Sequence, residues 1–483
     1  VQTCALPIYK SIQRNYNVNR YIAILIAALT TAEMQAFDLA PRLIVSITID
    51  QLNNNSIDTF LPLFSNSGLK KLMQEGKMYE TGTCPSVPVS RPASIATIAT
   101  GATPFYHGII GNQWIDHASL RPSYCVDDKQ YIYGPSKLKT STISDEMKVS
   151  SHGKSIIYSV AARKDAAILS AGHAADNALW YDDALKRWRT TAFYGASPQW
   201  LNTPTTPRTV DNEGIVDKAI SIVSKSNMGK DDIADMLNVT LSVSKKDNIQ
   251  LYNRDDWQKQ IYIQLDKALA KLIGSIEQQV GKNHVLFVIT GTGTSDDTEN
   301  DYSLYRVPTG NFYINRTSKL LNVYLSAVYG QGTYIDATCN NQIYLNHKII
   351  EQKQLSMHEV LSRCQELLLE SEGVSDVYTS ERLLSGNLGV QEILKGYNPS
   401  VSGDIIINVS PGWKLINEDT QENYTSRNNL ILFPIIFYGM DIKPERVFTP
   451  TTIDRIAPTI CKSINIIIWT SHISSGVRGY RIG

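Results

Sequence analysis

The sequence carries no excess of charge of either sign. Its 483 residues include 46 Lys and Arg and 46 Asp and Glu, so the formal net charge is zero. Domains that bind nucleic acids concentrate basic residues on one face, and proteins that bind membrane surfaces carry polybasic runs. Neither pattern is found in this sequence. The composition therefore argues against an electrostatic nucleic-acid binder, and we expect no nucleic-acid partner.

Cysteine is scarce and scattered. The six cysteines form no CxxC pair and no Cys/His spacing, which argues against a structural zinc site. In an oxidising compartment Cys84 and Cys125 could form a disulfide. Buried free thiols are an equally open interpretation.

The sequence also lacks an apolar run of the roughly 20 residues that a membrane-spanning helix needs. A shorter run, Tyr21–Leu29, follows two arginines and precedes small residues. This is the pattern of a secretory signal peptide, with cleavage after Ala32 or Ala36, and a membrane anchor or a buried helix is the alternative. We therefore predict upstream residues and a signal peptide over 1–36. We expect export to the bacterial periplasm or cell envelope, with no stable membrane span after cleavage.

Strand-like apolar runs alternate with helical patterns along the chain. This alternation predicts an α/β fold with a mostly parallel sheet covered on both faces. The predicted strands are Leu43–Ile49, Ser155–Val160, Ala166–Ser170, Val285–Thr290, Ile405–Val409 and Pro434–Tyr438. The predicted helices are Gly68–Glu75, Asp211–Ser226, Asp255–Gln279 and Met357–Glu370. Leu320–Ile349 suggests a small antiparallel excursion, and Trp200–Thr209 a loop.

The most informative segment runs from Pro41 to Asp116. Its first strand ends on a carboxylate, Asp50, and a small-residue helix follows about forty residues later within Ser90–Gly101. The phrase His-Gly-Ile-Ile-Gly-Asn, which ends at Asn112, comes next. A buried strand that delivers Asp to its C-terminal edge, ahead of a turn into such a helix, is how α/β hydrolytic folds build a metal site.

This arrangement resembles the alkaline phosphatase superfamily, in its phosphodiesterase/nucleotide pyrophosphatase-like branch. The resemblance extends from Pro41 to Ile460, and Phe433–Gly439 and Ile456–Ile460 reinforce it. It implies a three-layer α/β/α sandwich with a small inserted cap region. The implied divisions are a domain over residues 37–464, cap insertions at about 117–210 and 300–350, and an unassigned tail at 465–483.

The resemblance also implies site residues one position at a time. The first metal-binding Asp matches Asp50, and the Asn that helps to hold phosphoryl oxygens matches Asn112. The nucleophile position falls on Arg91, which cannot accept a phosphoryl group because it stays protonated and has no free lone pair. Ser90 and Ser94 lie close by as substitute catalytic nucleophiles. The alternative is that Ser90 caps the helix and Ser94 packs within it.

The remaining metal ligands of the family have largely been replaced. The mid-chain Asp-x-x-x-His pair falls near Asp247, with Leu251 in place of the His. The later Asp-His dipeptide reads Thr292-Gly293, and the last His is replaced by Leu432. The family uses two zinc ions, and tight sites need three or four ligands. We therefore expect no tightly bound zinc and at most one weak divalent cation.

Some related phosphatases grip the substrate phosphate with a Lys-x-Arg pair, and here that position reads Arg163-Lys164-Asp165. The segment keeps a basic character, so the resemblance assigns Arg163 to phosphate binding beside Arg91 and Asn112. A charged turn is otherwise solvated surface. His173, in a Gly/Ala-rich turn, is a further candidate for a substrate-side role or for a hydrogen-bonded loop histidine.

Two functions from different classes remain open at this point. The first is an exported non-catalytic homologue that binds a phosphorylated small molecule or an envelope protein. The second is an active phosphomonoesterase or phosphodiesterase with a rewired site, in which oxygen ligands would favour Mg, Mn or Ca. The rewired site would use Ser90 or Ser94 and the carboxylates of Asp50, Asp247, Asp296 and Asp297.

Overall fold

The structure is a computed structural model that describes residues 40–202, 210–244, 254–294, 306–386, 388–419, 422–424 and 431–466. The predicted signal peptide and nearly all of the predicted tail lie outside these residues. Within them, no helix combines the length and the apolar character needed to cross a bilayer.

Strands and helices alternate along most of the described chain. The strands are β1 Leu43–Asp50, β2 Lys77–Thr83, β3 Gln113–Asp116, β4 Arg121–Tyr124, β5 Asp127–Asp128, β6 Ile132–Tyr133, β7 Ile157–Ala161, β8 Asn177–Asp182, β9 Arg187–Arg189, β10 Asp235–Ser242, β11 Val285–Gly291, β12 Gly310–Tyr313, β13 Ile335–Cys339, β14 Gln342–Leu345, β15 Val374–Thr379, β16 Ile405–Val409, β17 Trp413–Asn417, β18 Glu422–Tyr424, β19 Phe433–Gly439, β20 Glu445–Val447 and β21 Thr451–Thr452. The helices are α1 Asn54–Phe60, α2 Leu69–Glu75, α3 Arg91–Thr100, α4 Pro104–His107, α5 Ile143–Ser150, α6 Lys164–Ala171, α7 Asn212–Ser226, α8 Arg254–Val280, α9 Ile314–Tyr329, α10 His347–Gln352, α11 Met357–Leu369, α12 Ser380–Leu384, α13 Gln391–Gly396 and α14 Ile456–Ser463.

The central sheet is built around β1. Its strand order is β20-β2-β19-β11-β1-β10-β7-β8-β9, and β21 also pairs with β2. β1 runs parallel to both β10 and β11, and β7 and β8 continue the parallel arrangement. β19 and β9 join in antiparallel fashion. The predicted α/β fold with a mostly parallel central sheet is confirmed.

Burial on both faces explains the continuous apolar run of β1, in which all eight residues are buried. A strand in the middle of a parallel sheet is covered by helices on each side, so both of its faces must be apolar. Val45 and Ile47 belong to one core cluster, which also holds residues of α7 and α8. Ile44 belongs to the opposite cluster, with residues of α3, α6 and α14. The molecule thus has three layers, with the sheet in the middle.

Two smaller sheets are built from the segment between β11 and β19. One has the strand order β13-β14-β16-β15 and the other β12-β17-β18. We call the described residues from 310 to 424 the cap segment. It has its own core, to which Leu321, Leu361 and Ile405 contribute. The predicted strand Ile405–Val409 is β16 and lies in this segment, not in the central sheet.

The structure differs from the sequence prediction in several elements. Ala166–Ser170, predicted as a strand, lies within the helix α6. The run is short, apolar and fully buried, and it has no periodicity that separates a strand from a helix. The sequence pattern therefore could not distinguish the two kinds of element. Trp200 lies in a short 3-10 helix, Gln199–Asn202, and the rest of that predicted loop, 203–209, lies outside the described residues.

The predicted cap insertions are distributed differently between the sheets. The region of about 117–210 contributes β7, β8 and β9 to the central sheet. The described part of 300–350 contributes β12, β13 and β14 to the cap segment. Cys84 and Cys125 are buried free thiols, so the disulfide alternative is not realised.

Candidate functional site

The candidate site lies at the C-terminal edge of the central sheet, where β1 and β11 end side by side. Asp50 is the last residue of β1 and is only 5% exposed. Gln51 follows with a φ of 65°, in the left-handed region. This sharp turn ends the strand, so the Asp50 carboxylate stands at the edge where α/β folds place their chemistry.

Two threonine hydroxyls bind one oxygen of the Asp50 carboxylate. Thr292 Oγ1 and Thr294 Oγ1 each donate to Asp50 Oδ1 at 2.8 Å. The two hydroxyls are themselves 2.8 Å apart. Gly293 between them has a φ of +70°, and a Cβ there would lie 2.6 Å from the sulfur of Cys84. Thr292, at the first residue of the expected Asp-His dipeptide, and Thr294 are therefore neutral donors to Asp50.

Helix α3 places Arg91 opposite Asp50. Ser90 is the N-cap of this helix, and its Oγ accepts a hydrogen bond from the N–H of Ala93 at 3.4 Å. Arg91 is the first helical residue, followed by Pro92, and Pro is well tolerated in the first helical turn. The side chain of Arg91 therefore leaves the helix at its N-terminus.

The guanidinium of Arg91 bridges two acidic side chains. Its Nη2 and Nε donate to Asp165 Oδ2 at 2.8 Å and 3.2 Å. Its Nη1 lies 3.7 Å from Asp50 Oδ2, and Nη2 donates a long hydrogen bond of 3.5 Å to Asn112 Oδ1. The Arg91 side chain is 15% exposed. We call Asp50, Arg91, Asn112 and Asp165 the arginine cluster.

Asp165 is the most buried acid of the arginine cluster. It is the second residue of α6 and its side chain is 0% exposed. Burial disfavours its charged form, but the charges of Arg91 and Arg163 and hydrogen bonds from Arg91 and Tyr124 lower its pKa overall. Arg163 Nε lies 3.6 Å from Asp165 Oδ1, an oxygen that accepts no hydrogen bond. The carboxylate is thus ionised, with one oxygen left without a donor.

The two carboxylates in turn hold the positive charge on Arg91. Burial disfavours a buried cation, but Asp165 and Asp50 raise the pKa of Arg91 above its ordinary value. The arginine cluster holds two carboxylates and one guanidinium, that of Arg91. When the guanidinium of the neighbouring Arg163 is included, the formal charges sum to zero. Arg91 thus supplies positive charge between Asp50 and Asp165.

The described part of the site does not fit the two zinc ions of the family. Asp50 Oδ1 accepts two hydroxyl hydrogen bonds, and Oδ2 faces a guanidinium. Within the described residues, no group of three or more His, Cys, Asp or Glu side chains is placed to bind a metal. A cation at Asp50 would meet the positive charge of Arg91, which repels it.

The predicted nucleophiles occupy structural positions. Ser90 Oγ caps α3, and Ser94 is 4% exposed with its Oγ 3.4 Å from Cys84 Sγ. In the described part of the chain neither hydroxyl contacts a carboxylate or an imidazole. A serine needs such a base to lose its proton during attack.

Other predicted residues lie elsewhere. Leu432 is 40% exposed just before β19. His173 binds Asp145 and the carbonyl of Leu138, away from the arginine cluster. The predicted carboxylates Asp247, Asp296 and Asp297, together with Leu251, lie outside the described residues.

Sequence reasoning assigned no site role to Asp165, Thr292 or Thr294. A signal for Asp165 was present, because it occupies the basic position of the Lys-x-Arg pair with the opposite charge. Arg91 stands where the resemblance places the family's neutral nucleophile. Position 91 thus gains a positive charge, and position 165 carries a negative charge in place of a positive one. Because the two segments face each other, these two changes together indicate an ion pair.

An open groove lies beside the arginine cluster. It has a volume of about 260 Å³, and its lining includes Tyr124, Arg163, Lys164, Asp165, Trp180 and Asp183. Arg163, 59% exposed, stands at its edge. Basic, acidic and aromatic side chains all face this space.

A family model, described as type I phosphodiesterase / nucleotide pyrophosphatase, matches residues 44–429. The calcium-transporting ATPase of Myroides odoratus is 24% identical, over 91% of this chain and 94% of that protein. Alkaline phosphatase PafA of Elizabethkingia meningoseptica is 22% identical, over 88% of this chain and 92% of that protein.

Solved structures agree on the architecture. The crystal structure of wild-type alkaline phosphatase PafA has a TM-score of 0.80 at 21% identity, covering 91% of this chain and 98% of that one. Murine ectonucleotide pyrophosphatase / phosphodiesterase 5 has a TM-score of 0.56 at 11% identity, covering 89% and 97%. At these identities the likeness shows the fold.

Proposed function

The chain belongs to the type I phosphodiesterase / nucleotide pyrophosphatase family of the alkaline phosphatase superfamily, and from this premise we propose that it is a member that binds a phosphorylated ligand without hydrolysing it. The observation that carries the proposal is the position of Arg91. The resemblance assigns it to the nucleophile position of the family, and its guanidinium bridges Asp50 and Asp165.

The chemistry of phosphoryl transfer explains why this replacement matters. Two-metal catalysis needs one cation to activate the nucleophile and a second to stabilise the leaving oxygen. Arg91 supplies positive charge, but it has no lone pair with which to attack phosphorus. The exposed guanidinium of Arg163 beside the cluster can attract an anion, whereas Arg91 cannot form a covalent phosphoryl intermediate at this position.

Anion binding is supported by the groups around the cluster. Arg163 is 59% exposed, and its nearest acidic oxygen, at 3.6 Å, belongs to a carboxylate already paired with Arg91. The exposed Asn112 presents an amide at the same edge. Arginine is well suited to phosphate because its planar fork donates two parallel hydrogen bonds. The proposed phosphate-binding residues are Arg163 and Asn112, with Arg91 contributing charge from behind.

Catalysis and binding can be tested on the same preparation. We expect no turnover of p-nitrophenyl phosphate or bis-p-nitrophenyl phosphate above the level of Asp50→Ala, with Zn, Mg, Mn or Ca added. Inorganic phosphate should bind in calorimetry, and Arg163→Gln should weaken it about tenfold, the loss expected for one charge-assisted hydrogen bond.

Lys154→Gln is the matched control for Arg163→Gln. It removes the same charge, but Lys154 precedes β7 while Arg163 follows it, so the two lie at opposite ends of that strand. Hydrolysis that disappears in Asp50→Ala would overturn the proposal in favour of a rewired esterase. Ser90→Ala and Ser94→Ala would then identify the nucleophile.

We also propose that the protein is exported and acts in the cell envelope, where its ligand is a phosphorylated small molecule or part of an envelope protein. The signal-like pattern of Tyr21–Leu29 supports export. N-terminal sequencing of protein recovered from the envelope fraction tests it, with a start at residue 33 or 37 expected. Recovery from the cytoplasm with an uncut N-terminus would contradict it.

A further inference from the structure

The open groove has one side that suits an anion. Helix α6 begins at Lys164, and no side chain caps its N-terminus. The first N–H groups of a helix lack partners within the helix and favour anions. Arg163 and Lys164 flank this end, and the Lys164 ammonium lies 4.0 Å from the ring centroid of Tyr133 and 4.7 Å from that of Tyr124. No ion pair between Lys164 and an acid occurs within the described residues.

The same groove also has carboxylates, which can accept hydrogen bonds from a donor group on a ligand. Asp165 lines it, is fully buried, and has one carboxylate oxygen that accepts no hydrogen bond. Buried carboxylate oxygens normally accept a hydrogen bond, and Arg163 Nε at 3.6 Å is too distant to donate one, so this oxygen can accept another donor. Asp183, 73% exposed, also lines the groove, and its nearest cation is Lys186 Nζ at 3.8 Å. An ammonium group would satisfy both acids.

A bare phosphate meets only half of these groups. Placed on Arg163 and the N-terminus of α6, it would stand beside the Asp165 carboxylate, and the two negative charges would share the guanidinium of Arg163, whose Nε lies 3.6 Å from Asp165 Oδ1. An ammonium on the same ligand would separate them and donate to the free oxygen. The groove volume of about 260 Å³ accommodates a molecule with both groups, and Trp180 and Tyr124 provide apolar surface for the carbons between them.

We propose that this groove binds an aminoalkyl phosphate, which deepens the proposed function and rests on it. The phosphate contacts Arg163, Lys164 and the N-terminus of α6. The ammonium points toward Asp165 and Asp183. The ligand is therefore a zwitterion, and the groove discriminates it from a simple phosphate ester by the two acids.

A ligand series on the full-length protein tests the proposal by calorimetry. The probes are phosphoethanolamine, propyl phosphate, which lacks the amine, and ethanolamine, which lacks the phosphate. Phosphoethanolamine should bind about tenfold or more tightly than propyl phosphate, the gain expected for one charge-assisted hydrogen bond. Ethanolamine should show no binding at concentrations that saturate with phosphoethanolamine.

Two variants divide the groove. Asp183→Asn should remove most of the preference for phosphoethanolamine and leave propyl phosphate unchanged. Arg163→Gln should weaken both phosphates by a similar factor. Asp231→Asn is the control for the first change and Lys154→Gln for the second. Both control residues precede strands, β10 and β7, at the opposite edge of the sheet.

The outcomes separate the two hypotheses. Equal binding of the two phosphates, with both weakened in Arg163→Gln, would overturn the zwitterion and keep the phosphorylated ligand. Failure of both to bind would overturn the proposed function as well. Vesicles of phosphatidylethanolamine and of phosphatidylglycerol distinguish a lipid headgroup from a free ligand. Preferential binding to the former, lost in Asp183→Asn, would support the proposal with a lipid as the source.

Discussion

Arg91 is a buried cation whose two acidic neighbours would otherwise be uncompensated. Breaking a buried ion pair on one side costs more than the pair contributes, because the remaining charge stays desolvated. Asp165 is 0% exposed, so it cannot recover hydration without local opening. The arginine cluster is therefore an element of stability as well as the proposed ligand site.

We expect Arg91→Ala to lower the free energy of unfolding by about 3 kcal/mol, the loss typical of a broken buried pair. Urea denaturation at pH 7, followed by fluorescence, measures it. Arg446→Ala is the control, because Arg446 forms a 3.2 Å pair with Glu80 while 53% exposed, and such surface pairs contribute less than about 1 kcal/mol.

The same variant tests whether the guanidinium stands in for a metal. With Arg91 removed, Asp50 loses its cationic neighbour and Asp165 keeps the 3.6 Å contact with Arg163, so Mg, Mn or Ca at millimolar concentration should raise the melting temperature of this variant. The wild-type protein should show no comparable shift. A cation-induced shift of equal size in both proteins would show that Arg91 does not occupy a cation position.

For single residues of the site, sequence reasoning predicted some positions correctly and missed others. Asp50 at the end of β1 followed from a strand pattern, and the capping position of Ser90 was one of the two alternatives that the sequence left open. The pairing of Arg91 with Asp165 did not follow from the sequence, because 74 residues separate them along the chain. Only the topology brings the starts of α3 and α6 together.

His173 joins secondary-structure elements that are not neighbours in sequence. Its Nδ1 lies 3.0 Å from Asp145 Oδ2 in α5, and its Nε2 lies 3.1 Å from the carbonyl oxygen of Leu138. Both partners are acceptors, so the doubly protonated ring satisfies both contacts. The Asp145 hydrogen bond, with its charge and the Leu138 carbonyl, raises the pKa of His173 although burial opposes this.

The raised pKa of His173 sets a pH dependence with a definite sign. The folded state holds the proton more tightly than the unfolded state, whose His pKa is about 6.5. The stabilising contribution is complete below that value and is lost as pH rises through the folded pKa. Urea midpoints across this range should therefore fall more steeply with pH for the wild type than for His173→Gln.

His152→Asn is the control for this change. His152 is exposed, and its φ of 53° lies in the left-handed region that Asn tolerates. Its pH profile should match the wild type. Parallel profiles for His173→Gln and the wild type would show that the His173 proton does not contribute.

Buried strands that contain polar residues were the hardest elements to predict. β10 has seven buried residues among its eight, yet its sequence includes Asp235, Asn238 and Thr240, which weaken an apolar strand pattern. The structure satisfies two of them. Asp235 accepts from the N–H groups of Ile156 and Gly229, and Asn238 donates to the carbonyl of Ser170. Ile156 and Ser170 are distant in sequence, so the pattern of β10 alone could not reveal the strand.

At the level of the whole molecule, the important contacts are those that join the cap segment to the central layers. Its contacts cluster near the candidate site, where Val87 donates its N–H to the carbonyl of Glu392 at 2.9 Å. The side chain of Asn398, 3% exposed, donates to the carbonyls of Phe105 at 2.8 Å and Pro104 at 3.3 Å. Pro104 and Phe105 belong to α4, which precedes Asn112 in the chain. The cap segment is thus anchored to the segment that supplies the site.

The overall architecture was more predictable than its connections. Alternating apolar and helical patterns were sufficient for a mostly parallel sheet, because burial on both faces requires continuous apolar strands such as β1 and β11. The cap segment was harder to delimit. Its strand β16 has the same apolar run as a central strand, since it is buried in a core of its own.

We expect Asn398→Ala to destabilise the protein by about 2 kcal/mol, since it leaves the part-buried carbonyl of Phe105 without its donor, whereas that of Pro104 keeps the N–H of Gly108. It should also speed limited proteolysis within residues 386–403, because the segment loses its anchor to α4. Urea denaturation and timed digestion with thermolysin measure the two effects. Asn311→Ala removes an exposed amide in the cap segment, whose side chain makes one 3.5 Å contact with Tyr313, and should change neither. If Asn398→Ala were digested at the wild-type rate, the attachment would reside in other contacts, such as the Val87–Glu392 hydrogen bond and the one from Asn340 to the carbonyl of Gln113.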